Sequence, residues 1–311
     1  MGDERPRVSY FGWALARSLR ILGKVWVKCI GEALLPPTPL AQLWKDRFLH
    51  LNEAVGQVFP LLTFVISCKT FEGTRFLFRP FTDDADKVSG DYEKIVRELI
   101  SPKPSEVVVD AGANIGTHTV WLSKKVGPSG LVLAIEPEPN NYAILELNRR
   151  INNLSNVISL RVALSSRAGI GKLAIPRLTL MGQAKIRRPS DPSDSLAVPV
   201  EFQTLDNVMM SQRISVSAIK IDVEGAEVSV LQGAMNTVSK FNPRLIVETH
   251  GKDNLLQLRT VIKGLGFISL AEVRASSRPD EERHFVLAVS SQEQAVWSKR
   301  NRQGRLATVA H

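Results

Sequence analysis

The chain has 311 residues, a net charge of +9 and two cysteines. That length holds one large α/β domain with an appendage, and Cys29 and Cys68 give no disulfide framework; with no cleavable signal pattern, a reducing, cytoplasmic setting is expected. No apolar run is long enough to span a bilayer, and +4 of the charge lies in the first thirty residues and +3 after Ser290, which is not the distribution of a basic domain built to wrap nucleic acid.

Residues 10–31 have helical periodicity, with Arg17, Arg20, Lys24 and Lys28 on one side and Phe11, Leu15, Leu22, Val25 and Trp26 on the other. Such a basic amphipathic helix can pack on the rest of the protein, hold a partner or make peripheral contact with an anionic membrane. Leu35, Pro36, Pro37, Thr38 and Pro39 break it and read as a linker, and 40–52 has the pattern of another helix. The segments 63–71 and 74–78, joined through Glu72 and Gly73, predict a hairpin; 83–89 reads as a polar turn and 91–100 as a helix.

The stretch that organises the rest is EVVVDAGANIG, 106–116. Val107, Val108 and Val109 form a β-branched run suited to a strand buried on both faces of a parallel sheet. Gly112 permits a tight turn with close backbone approach, and Gly116 lets the following helix, 115–126, pack near the strand. A dinucleotide fingerprint places glycines at G-x-G-x-x-G to meet a pyrophosphate, but Asn114 stands where the second should be. A crowded turn beside Asp110 is poor for pyrophosphate and better for a cofactor with a cationic amino group and no phosphate, such as S-adenosylmethionine. The next strand, 131–135, ends at Glu136, a carboxylate placed to accept both ribose hydroxyls.

Alternation then continues: helix 138–151, strand 157–162, an irregular 169–203 that predicts an insertion of extra strands or a flap, strand 217–223, helix 224–240, strand 244–249, helix 254–264, strand 267–273, a charged turn 278–283 and strand 285–289. This rhythm predicts a doubly wound, mostly parallel sheet. The expected division is an accessory segment 1–70, a catalytic domain 71–290 and a basic tail 291–311.

Five ordered blocks, VVVDAGANIGTHTVWLSKKVG, AIEPEPNNYAILELNRRINNLSNV, TLDNV, AIKIDVEGAEVSVLQGA and PRLIVETH, resemble the FkbM-type family of S-adenosylmethionine-dependent methyltransferases. The resemblance spans about 71–290 and leaves the N-terminal helix without an inherited role. It implies a Rossmann-like, seven-stranded sheet with its last strand antiparallel, and methylation of hydroxyl groups on sugars, polyketides or other small metabolites. By position it places Asp110, Gly112, Asn114 and Gly116 around the methionine part of the cofactor, Glu136 at the ribose, Ala163 at the adenine, and Asp222 and Glu224 facing the methyl group.

Lys220, Asp222 and Glu224 alternate with Ile219, Ile221 and Val223, so the charged triplet belongs at the carboxyl end of its strand, where ligands bind. Methyl transfer to oxygen needs alignment and removal of the acceptor proton. Asp222 and His250 are the candidates for that task, while His118 reads as a packing or cap residue. Asp222, Glu224, Glu248 and His250 could also gather a divalent metal, but no close ligand spacing in the sequence supports this, so the expected site has none. The expected partner is a small-molecule or glycan hydroxyl acceptor. Two alternatives stay open: an RNA methyltransferase, suggested by the basic ends but lacking an Asn/Asp-Pro-Pro-Tyr/Phe tetrad or a Pro-Cys nucleophile where DVEG stands, and a non-catalytic Rossmann-like binding module.

Overall fold

The valine run forms β3 (Val107–Ala111), and its side chains alternate between the two faces of a sheet, as period-two geometry requires. Val109 and Ala111 point into one core cluster and Val108 into another. The computed structural model describes residues 66–69, 74–79, 84–88, 94–175, 185–186, 196–275, 283–290 and 294. The expected helices at 10–31 and 40–52, the linker between them, the turn over 278–282 and all of the basic tail except Gln294 lie outside the described residues.

The remaining described elements follow in chain order. A hairpin of β1 (Ile66–Lys69) and β2 (Arg75–Phe78) precedes the short α1 (Asp84–Lys87) and α2 (Lys94–Ile100). After β3 come α3 (Thr117–Val126), β4 (Leu131–Ile135), α4 (Pro139–Ile151) and β5 (Val157–Leu160). The strands β6 (Ala163–Leu164), β7 (Gly169–Ile175), β8 (Lys185–Ile186) and β9 (Leu196–Gln203) are followed by α5 (Leu205–Gln212), β10 (Ala218–Ile221), α6 (Glu227–Gln232) and α7 (Met235–Phe241). The series ends with β11 (Arg244–His250), α8 (Lys252–Gly264), β12 (Phe267–Ala275) and β13 (Arg283–Ser290).

Seven strands make the main sheet in the order β12-β13-β11-β10-β3-β4-β5, and β13 runs antiparallel to both its neighbours while the other pairings are parallel. This is the doubly wound Rossmann-like architecture expected from the sequence. The order reverses between β3 and β10, which opens a crevice at their carboxyl ends. One face of the sheet is covered by apolar residues of α5 to α8, among them Met209, Leu231, Val238 and Leu258, and the other by α2 and α3 through Leu99, Ile100 and Leu122. The insertion expected over 169–203 is a second sheet, β6-β9-β7-β8.

Three local differences from the sequence reading have physical causes. The helix expected over 224–240 is two helices, because the Asp206 carboxylate reaches across from α5 and accepts the N–H groups of Asn236 and Thr237, capping a second start. The turn expected at 83–89 contains one helical turn, α1, held by a buried ion pair from Arg79 Nε to Asp84 Oδ2 at 2.6 Å. α5 itself went unassigned; Thr204 caps it, accepting from the Asn207 N–H.

The hairpin is docked by side chains rather than by a further strand. Asn148 of α4 and Asn152 at its C-terminal cap, one turn apart, each use an amide oxygen to accept from β2 (Leu77 N–H and Arg75 N–H) and an amide nitrogen to donate back to the same residues' carbonyls. Asn148 also donates to the Ile115 carbonyl at 2.8 Å, tying the hairpin to the turn after β3. An otherwise open strand edge is thereby satisfied.

Candidate active site

The turn after β3 is built on backbone that L-residues seldom adopt. Gly112, Asn114 and Gly116 have φ of 79°, 51° and 91°. A Cβ on Gly112 would stand 1.7 Å from the Asp222 carbonyl oxygen, so the close approach foreseen for this glycine is made by the loop after β10. Gly116 was expected to bring α3 near the strand; it makes room instead for Leu145 of α4, whose Cδ1 would lie 2.6 Å from an added Cβ. The N–H groups of Gly112 and Ala113 both donate to the Ile135 carbonyl, fixing the turn to the end of β4.

Glu136 stands next on that strand and is almost fully buried. Its Oε2 accepts the Asn114 N–H at 2.8 Å and its Oε1 accepts the Glu138 N–H at 2.9 Å. Each oxygen keeps acceptor capacity for a hydroxyl. The Asn114 N–H, which a phosphate would need, is already engaged by a carboxylate. Both features fit the residues to a diol and disfavour a pyrophosphate. Burial pushes Glu136 up to about 7, against the lowering effect of its two backbone donors.

That shift has a sign. A carboxylate raised on folding contributes most stability below its ordinary value of 4.5 and loses it as pH rises through about 7. A diol bound here would donate to the ionised form and draw the value back down. Cofactor affinity is therefore expected to rise about tenfold between roughly pH 6 and pH 8, with close to one proton released per binding event at the lower end. Calorimetry in buffers of different ionisation heat checks this, and a flat profile would contradict it.

Asp110, directly opposite Lys220 in the β3–β10 register, is wholly buried beneath the turn. Its Oδ2 accepts from Thr119 Oγ1 at 2.6 Å, and its Oδ1 lies 3.2 Å from Lys220 Nζ. The same ammonium donates to the Gly112 carbonyl at 3.2 Å and lies 3.6 Å from Asp222 Oδ2. Lys220 thus joins the turn after β3 to the residue after β10. The sequence reading noted it in the charged triplet but gave it no site role; its pairing with Asp110 follows from a strand register that spacing alone does not supply.

At the crevice mouth the structure brings Asp222, Glu224 and His250 together. A ligand atom from each lies within 4.8 Å of the others, although no close spacing marks them in the sequence. The cause is the register Ile221↔Val247, since His250 ends β11 three residues beyond that pair and Glu224 lies three residues beyond it in the loop that leaves the adjacent parallel strand β10. Glu224 has φ 53°, and its Oε2 is 3.7 Å from His250 Nε2. Burial, then the neighbouring carboxylates Asp222 and Glu227, push Glu224 up to about 8. Glu248 lies behind, 3.7 Å from the same imidazole nitrogen and 3.2 Å from Arg283 Nε. Ala163 is buried in β6 among Leu173 and Val200, so that its methyl belongs to the core of the second sheet. His118 is buried in the first turn of α3, in keeping with a packing residue.

Among the described residues no helix is long and apolar enough to cross a membrane. The family model described as the methyltransferase FkbM domain matches residues 110–269. The methyltransferase sdnD of Sordaria araneosa is 30% identical over 205 residues, covering 56% of this chain and 78% of that protein. The hexuronic acid methyltransferase AglP of Haloferax volcanii is 30% identical over 162 residues, covering 52% and 63%, and the 31-O-demethyl-FK506 methyltransferase FkbM of Streptomyces tacrolimicus is 26% identical over 205 residues, covering 57% and 78%. A solved structure of methyltransferase FkbM from Methylobacillus flagellatus has 21% identity and a TM-score of 0.42, over 58% of this chain and 43% of that one. With the family model covering half of its length, the chain belongs to the FkbM methyltransferase family.

Proposed function

We propose that the protein transfers a methyl group from S-adenosylmethionine to a hydroxyl oxygen on a sugar, polyketide or other small metabolite. The observation that carries this reading is Glu136, a buried carboxylate whose two oxygens each hold one backbone N–H, and which engages the Asn114 N–H that a phosphate would need. Gly112, Asn114 and Gly116 would cradle the methionine part over Asp110, and Ala163 would mark the adenine end through its backbone. The names of the relatives, one acting on a hexuronic acid and one on 31-O-demethyl-FK506, support a small hydroxylated acceptor. The catalytic unit is taken as 71–290, with the helix expected over 10–31 either packed on it, holding a partner or in peripheral contact with a membrane.

When bound, the cofactor supplies a methyl group on a sulfonium reactive enough to need no covalent enzyme intermediate. The chain's own task is to align the acceptor and remove its proton. Asp222 and Glu224 are a fifth to a quarter exposed at the crevice mouth, where they would face the methyl group, and His250 stands beside them. Asp222 and His250 would orient the hydroxyl and draw off its proton as the oxygen–carbon bond forms.

Glu136→Ala should weaken S-adenosylmethionine binding by about 1.5–3 kcal/mol, or roughly ten- to a hundred-fold, because a charge-assisted acceptor for two hydroxyls is lost. Calorimetry on the folded variant checks the assignment. Unchanged affinity would remove Glu136 from the ribose site. Supplying methyl-labelled cofactor with small glycosides and, separately, with RNA tests the acceptor class, since label in RNA alone overturns the hydroxylated-metabolite reading.

A further inference from the structure

We propose that Asp222, Glu224 and His250 form a binding site for one divalent cation of the Mn2+ or Mg2+ class. The three side chains are not a patch of surface acids. They comprise an imidazole from the end of β11 and two carboxylates from the loop that leaves the adjacent parallel strand β10, Glu224 and His250 each three residues beyond the Ile221↔Val247 pair and Asp222 one. Their donor atoms lie within 4.8 Å of one another. Metal–ligand bonds of about 2.0–2.3 Å allow ligand separations up to about 4.5 Å, so a shift of a few tenths of an ångström closes the site. With exposures of 20%, 28% and 26%, all three are open to a ligand yet held by their surroundings.

The donor set selects the ion. Two hard carboxylate oxygens and one imidazole, with no thiolate, suit Mn2+ or Mg2+ over a soft metal, and the nitrogen favours Mn2+ of the two. Local charge points the same way. Among the described residues, Asp110, Asp222, Glu224, Glu227 and Glu248 gather against Lys87, Lys220 and Arg283, leaving an excess of carboxylates around the mouth. Three protein ligands leave further coordination positions for water and for an acceptor hydroxyl. That last step rests on the function proposed above: a hydroxyl bound to the cation is more acidic, and with His250 holding the ion its proton would pass to solvent water or to the Asp222 carboxylate oxygen that the ion leaves free.

The test uses the full chain, treated with chelator and free of cofactor and acceptor. Mn2+ is titrated while the signal of the free ion is followed by electron paramagnetic resonance, and the bound ion is probed for nitrogen hyperfine coupling. The expected result is one Mn2+ per chain with nitrogen coupling, the coupling vanishing in His250→Gln and the affinity falling at least about tenfold in His250→Gln, Asp222→Asn and Glu224→Gln. Circular dichroism confirms that each variant compared is folded, and the nitrogen coupling of the native chain decides the matter even where a variant fails to fold. No binding, binding without nitrogen coupling, or affinity unchanged in the folded variants overturns the site. S-adenosylmethionine titrated into the same preparation separates the two readings: Mn2+ binding with no cofactor binding keeps the cation site and removes the methyl-transfer function.

Discussion

Lys220→Met should lower stability by about 3–5 kcal/mol at neutral pH, because it removes the cation from a wholly buried carboxylate and leaves that charge to the protein interior. Asp110 would retain its bond from Thr119 but lose the ammonium 3.2 Å from Oδ1. Methionine keeps much of the lysine stem's volume, so the loss reports charge and hydrogen bonding more than packing. Because Lys220 also donates to the Gly112 carbonyl, the cofactor turn should loosen as well. Urea unfolding measures the first effect. Adding Asp110→Asn to the variant should recover part of the loss, since the uncompensated charge is then gone. A single variant as stable as the native chain, or a double variant no better than the single, would contradict this role for the pair.

Asp222→Asn should reduce turnover by about a hundredfold or more while cofactor affinity changes little. The substitution is nearly isosteric and keeps hydrogen-bonding capacity, so it isolates the charge. The backbone at this position should be undisturbed, because the Asp222 N–H still donates to the Ala111 carbonyl and its own carbonyl still packs against Gly112. Single-turnover kinetics with an accepted hydroxyl substrate separates a slower chemical step from weaker binding. Unaltered turnover would move the proton-handling role away from Asp222.

How much of this was legible in the sequence depends on how local each feature is. The unit from β3 to Glu136 was readable because a β-branched run, a glycine turn, a helix and a second strand lie within one stretch of chain, and the acid at each strand end keeps its place whatever the rest does. The doubly wound, mostly parallel character of the main sheet followed from the alternation of strands and helices, and its seven strands with the last antiparallel from the family resemblance. What escaped was set by distant parts of the chain. Asp206 splits a helix that begins far downstream of it. Asn148 and Asn152 satisfy the edge of β2, a distant partner that the helical pattern of 138–151 does not show. The meeting of Glu224 with His250 and the pairing of Lys220 with Asp110 depend on inter-strand register, which no spacing within a single strand reveals. Gly116 was read as letting the following helix pack near the strand, but the side chain that crowds it is Leu145 of α4, from the next helix along the chain.

The central claim is that the turn after β3 and the carboxylate after β4 hold S-adenosylmethionine. Its most direct test is a pair of calorimetric titrations on the full chain, one with S-adenosylmethionine and one with NAD. The account predicts saturable binding of S-adenosylmethionine, weakened in Glu136→Ala, and no binding of the dinucleotide, whose pyrophosphate would find the Asn114 N–H already bonded to Glu136. Binding of NAD in place of S-adenosylmethionine, or S-adenosylmethionine binding indifferent to Glu136, would contradict it.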